Sequence, residues 1–137
     1  FTLANLRDRR EVARGELMRY LAEAAWYPTA LLPSQGIRWE PIDDRSARAT
    51  LIDGDLRLTM TFRFGTDGLI ETIRAEDRGR TLGHRILPTP WEVRTFDYQR
   101  RDGLLIPIQG EVAWFTPEGR LAYWRGRITA IRYHHEG

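Results

Sequence analysis

The chain has 137 residues, 42% hydrophobic and 29% charged, with a formal net charge of +2. That length fits one domain able to bury a core, and the composition is that of an ordinary globular fold. It holds no Cys and no Lys, so thiol nucleophiles, disulfides, cysteine-ligated metals, Schiff-base lysines and the P-loop lysine are excluded. No apolar run nears the roughly 20 residues that a spanning helix needs.

Every basic residue is therefore Arg, and acids interleave with them, as in Arg7-Asp8-Arg9-Arg10-Glu11. Alternating signs describe solvated faces rather than a phosphate footprint, and no nucleic-acid partner is expected. The start, Phe1-Thr2-Leu3-Ala4-Asn5, has no initiator Met and no basic-then-apolar signal pattern. The natural N-terminus is expected upstream, which leaves the compartment open between cytoplasmic and membrane-peripheral.

Residues 1–14 are polar and charged and read as a linker or frayed element, with the domain proper over 15–137. From Gly15 to Trp26 the pattern is helical: Leu17, Leu21, Ala24 and Ala25 share one face. Arg19 and Glu23 are spaced to pair on the helix surface, and Pro28 stops the helix. Thr29 to Gly36 reads as a loop.

Everything beyond reads as β. Leu56, Leu58, Met60, Phe62 and Phe64 alternate with Arg57, Thr59, Thr61 and Arg63, one apolar and one polar face. With turn signals at Asp53-Gly54 and Thr66-Asp67-Gly68, residues 47–53, 55–64 and 69–75 form a three-stranded meander. Residues 76–87 read as a charged, exposed loop. Strands follow over 91–100 and 104–108, then 110–115 and 121–133 around the turn Thr116-Pro117-Glu118-Gly119. Pro107 marks an edge or a bulge. In the last strand, alternation puts Ala122, Trp124 and Gly126 on one face and Tyr123, Arg125 and Arg127 on the other. The fold expected is mainly β (α+β): a curved antiparallel sheet or half-barrel of about seven strands, with one N-terminal helix on its concave face.

The chemistry is sparse. Ser34 and Ser46 are the only serines, and neither lies in a nucleophile elbow. His84 falls in the charged loop. The pair His134-His135 lies near the end of the chain without the usual metal-ligand spacing. The neighbouring acids Asp43-Asp44 and Glu76-Asp77 would point to opposite sides of a strand and form no acid–base couple. No catalytic residue, metal ligand or cofactor is assigned. The candidates are binding residues. Arg19 and Tyr20 could recognise an anion at a groove rim. Trp26, Trp39, Trp91, Trp114 and Trp124 could fill a core or line an apolar cleft.

Six ordered motifs carry a resemblance. They are Gly15-Glu16-Leu17-Met18-Arg19-Tyr20-Leu21-Ala22-Glu23 running on to Trp26-Tyr27-Pro28, then Arg38-Trp39, Thr89-Pro90-Trp91, Asp97-Tyr98 with Gly103 and Ile106-Pro107, Gly110-Glu111-Val112-Ala113-Trp114, and Tyr123-Trp124-Arg125-Gly126. Together they resemble an uncharacterised bacterial family, a domain of unknown function. The resemblance runs from residue 14 nearly to the end. It implies that this chain is similar to the C-terminal half of longer members, whose other half would add strands. It brings no reaction and no catalytic residues. The strand order is similar to that of LolA-like half-barrels, which carry lipids or lipoproteins. The function expected is binding of an apolar or lipid-like ligand between helix and sheet. The alternatives are a structural or protein-interaction module, or a small-molecule enzyme using Arg19, Tyr20 and a carboxylate such as Glu16 or Glu23.

Overall fold

The computed structural model describes residues 3–23 and 36–127. One helix, α1 (Leu3–Glu23), precedes seven strands: β1 (Ile37–Asp43), β2 (Ser46–Asp53), β3 (Leu56–Phe64), β4 (Ile70–Leu82), β5 (Arg85–Arg101), β6 (Leu104–Thr116) and β7 (Gly119–Arg127). Every strand pairs antiparallel with its neighbour in sequence, so the sheet is a simple meander, curved and unclosed. Tight turns make this possible. Gly54, Gly83 and the Asp102-Gly103 pair all take positive φ, and the last is the arrangement that a two-residue hairpin favours.

The alternation read in β3 is realised: Leu58, Met60 and Phe62 are buried. Cross-strand register continues that face. Met60 lies opposite Ala49, Phe62 opposite Ile73, Ile73 opposite Val93, and Ala75 opposite Trp91. Met18, Leu21 and Ala22 of α1 are buried against it in one cluster, with Leu17 partly buried beside them. Their i, i+3, i+4 spacing is the stripe a helix presents to a sheet. At 20–33 cal/mol per Å² of apolar surface, each such side chain contributes about 1.5–3 kcal/mol. Trp39 closes the β1 end, meeting Phe62 edge-on at 5.0 Å.

Several expectations are corrected. The helix begins at Leu3, so residues 3–14, expected as a linker or frayed element, are helical. Arginines in that stretch tie it to the sheet. Arg14 Nε donates to the Arg57 carbonyl at 2.9 Å, and its Nη2 donates to Asp77 Oδ2 at 2.9 Å. Arg10 Nη2 donates to the Asp55 carbonyl at 2.8 Å. Residues 76–87, expected as a loop, are the facing ends of β4 and β5 around a tight turn at Gly83-His84. Their charges had masked a strand pair that carries polar groups on both faces. The segments on either side of Gln109 form one continuous strand. Pro107 is tolerated within it opposite Tyr98, and the described part of β7 reaches only as far as Gln109. Ala24, Ala25, Trp26, Pro28, Ser34 and the His134-His135 pair lie outside the described residues.

Candidate functional site

Two register shifts shape the helix-facing side of the sheet toward β7. In β4 the register slips between Ala75 and Arg78, so Glu76 and Asp77 together oppose Pro90. Such a bulge reverses the alternation beyond it. Arg78 is thereby turned to the side of Trp91, where its guanidinium lies 4.3 Å over the Trp91 ring and 5.7 Å from that of Trp114. Arg80 follows, 5.9 Å from Trp114. In β7 a second shift sets Trp124 opposite Val112 but Ala122 opposite Ala113, leaving Tyr123 as the extra residue. Tyr123 turns toward the tryptophans instead of standing with Arg125 and Arg127 as strict alternation predicted. Its ring stacks on Trp114 at 6.0 Å, and its hydroxyl accepts a 2.9 Å hydrogen bond from Trp91 Nε1.

The result is a graded surface. Trp91 is only 2% exposed and serves as floor. Trp114 is half-buried. Leu121, Tyr123 and Trp124 are 47%, 52% and 48% exposed. Gly126 shapes the pose of Trp124, because a Cβ there would overlap the indole ring. The helix covers β3 and β4 and reaches the near part of β5. Where Arg78 passes beneath α1, its Nε stands 3.4 Å from where a Cβ of Gly15 would be.

The electrostatics single out Arg78. Burial lowers its pKa, opposed by the nearby Tyr123 and Glu16. Yet among the described residues neither Arg78 nor Arg80 has a carboxylate oxygen within 4.0 Å. A half-buried guanidinium stacked on indole gains cation–π energy, and Arg78 also has the Tyr123 hydroxyl as a hydrogen-bond partner, but one hydroxyl does not serve all five of its N–H donors. The convex side is different, because there arginines meet acids. Arg74 and Arg94 pair with Glu92, and Arg120 with Glu111 at 2.5 Å. The Arg120 contact holds the Glu111 carboxyl below its ordinary pKa.

The sequence candidates are thus divided. Trp91 and Trp114 belong to the surface, and Trp124 stands on the same side of β7. Trp39 sits apart, packed on Phe62. Arg19 is exposed and paired along the helix with Glu23 at 3.2 Å and Glu16 at 3.8 Å. Its pKa is raised chiefly by the Glu23 hydrogen bond. Tyr20 is 54% exposed. Arg19 and Glu16 nonetheless lie within electrostatic reach of Tyr123 and Arg78. Arg78, Arg80 and Tyr123 went unrecognised, since each owes its position to a bulge or to the strand pair that looked like a loop. Among the described residues no cluster of His, Asp and Glu is placed to hold a metal ion. No helix among the described residues is long and apolar enough to cross a membrane.

The motif order and this framework can be set beside known proteins. A family described as a family of unknown function, DUF6920, matches residues 1–133. The chain belongs to that family. No curated protein and no solved structure matches it. The DUF6920 match spans α1 and all seven strands, so Arg78, Trp91, Trp114 and Tyr123 are all within the matched region.

Proposed function

We propose that this DUF6920 chain binds a single-chain amphiphile with an anionic headgroup, on the helix-facing side of β5–β7. The observation that carries the reading is Arg78: a half-buried guanidinium held on Trp91 with no carboxylate partner among the described residues, beside exposed Tyr123, Trp124 and Leu121. The headgroup takes the N–H groups of Arg78 and Arg80. The tail lies along Trp114, Trp124 and Leu121. A charge-assisted hydrogen bond contributes about 1.5–3 kcal/mol, and aromatic area supplies the rest. The apolar space under α1 is filled by Met18, Leu21, Phe62 and Trp91, so the headgroup meets Arg78 at the helix edge and the tail lies beyond the helix. The fold itself does not select this function; the placement of the side chains does.

The test is titration of tryptophan fluorescence with dodecyl phosphate, dodecanol and dodecyltrimethylammonium, each below its micelle threshold. Dodecyl phosphate should bind tightest, and Arg78→Met should weaken it about tenfold, equivalent to about 1.4 kcal/mol. Equal affinity for the cationic and anionic amphiphiles, or an Arg78→Met variant of unchanged affinity, would overturn the reading.

A further inference from the structure

Both edges of the sheet carry a register shift, at Pro41/Asp43 in β1 and at Tyr123 in β7, but they differ in Pro and in charge. Pro removes a ladder donor, which discourages strand addition at β1. At the other edge β7 has neither Pro nor acid: its sequence is Gly-Arg-Leu-Ala-Tyr-Trp-Arg-Gly-Arg over residues 119–127. It is the last strand in the order, and among the described residues no strand pairs with its far side.

Its side chains describe what an added strand would need. Register puts Arg120 opposite Phe115, Arg125 opposite Glu111 and Arg127 opposite Gln109, so all three arginines stand on the convex side. Glu111 and Asp97 partly answer them from within the sheet, with Arg127 Nη1 at 3.6 Å from Asp97. Arg125 and Arg127 remain exposed. The opposite side of β7 offers Leu121, Tyr123 and Trp124. We propose that β7 accepts an extended segment of a partner protein as an eighth strand, with acidic residues at alternate positions over the arginines and apolar residues over Leu121 and Trp124. Backbone hydrogen bonds supply affinity and the alternating charges supply register. The same argument disfavours a second copy's β7 as occupant, because registers that set arginine against arginine are destabilised.

The proposal shares Leu121 and Trp124 with the amphiphile reading but rests on the β7 backbone edge and its arginines, and is tested separately. The probes are two capped nonapeptides, one alternating Glu with Val and one alternating Lys with Val. They are titrated onto the intact chain at low salt while amide hydrogen exchange is followed. The Glu peptide should bind about tenfold or more tighter than the Lys peptide and slow exchange of β7 amides. Arg127→Glu alone should narrow that ratio, and Arg125→Glu with Arg127→Glu should reverse it. Arg78→Met should leave peptide binding unchanged while weakening dodecyl phosphate. Equal binding of both peptides, binding of neither, or protection confined to β1 would overturn the proposal, as would a β7-mediated dimer in light scattering.

Discussion

Replacing Tyr123 by Phe should destabilise the protein far more than the exposure of Tyr123 suggests. Tyr123 is 52% exposed as a residue. The cost falls on its partner. Trp91 is 2% exposed, and its one N–H donates to the Tyr123 hydroxyl at 2.9 Å. Without that acceptor a buried donor is stranded, a loss of about 1–3 kcal/mol. Unfolding in urea, followed by circular dichroism, should register about 1–2 kcal/mol, a fall in Tm of roughly 3–8 °C for a domain of this size. The comparison is Tyr20→Phe, at 54% exposure, which should stay within about 0.5 kcal/mol of the parent. Trp91→Phe removes the donor, so in that background Tyr123→Phe should also cost less than about 0.5 kcal/mol. An equal cost in both backgrounds, or no cost in the parent, would refute the assignment of this hydrogen bond as the link between the core and β7.

Four further outcomes follow from the same structure. Phe62→Ala removes a fully buried ring and its edge-on contact with Trp39, and should cost about 3–5 kcal/mol by equilibrium unfolding. Arg14→Met keeps the aliphatic stem but loses the bonds to Asp77 and the Arg57 carbonyl that join α1 to β3 and β4. It should cost about 1–2 kcal/mol by the same measurement. Arg19→Met, whose pairs are solvent-exposed, should leave Tm unchanged. Glu111 is held below its ordinary pKa by Arg120, so its folded state favours the ionised form. That contribution is present at neutral pH and lost as pH falls through the folded value. The stability gap between the parent and Glu111→Gln should therefore be widest near neutrality and close on acidification, as measured by urea unfolding across pH.

The regular parts of the fold were legible in the sequence because they obey one period each. The Leu58-Met60-Phe62 alternation, the Leu17-Leu21 spacing and the Gly-containing turns gave a helix and a curved antiparallel sheet of seven strands. Residues 76–87 were not legible. Their Arg, Glu and Asp residues look solvated, yet Arg78 and Arg80 lie half-buried against indole rings, and Asp77 is engaged by Arg14. Hydropathy scores the charge and misses the aromatic face or ion pair that receives it. The extent of α1 was hidden for a related reason: ahead of Gly15 the helix is tied to the sheet by Arg10 and Arg14, which donate to the Asp55 and Arg57 carbonyls.

The tryptophans were visible from the outset, but what makes three of them a surface rather than a core is the pair of bulges. Without the shift at Ala75/Arg78, alternation from Ala75 would carry Arg78 to the convex side, among Arg74, Glu92 and Arg94, where carboxylates are plentiful. Without the shift at Val112/Ala113, Tyr123 would stand with Arg125, and the Trp91 N–H would have no acceptor from β7. Each bulge interrupts the ladder and turns one polar side chain onto an aromatic face. A regular strand would retain those backbone hydrogen bonds at no loss to the core beneath α1, since Phe62, Ile73 and Val93 lie on the regular side of both shifts. The irregularities therefore contribute to the surface made by Arg78, Trp91, Trp114 and Tyr123 more than to the fold. Local departures of that kind concentrate where a protein meets something else.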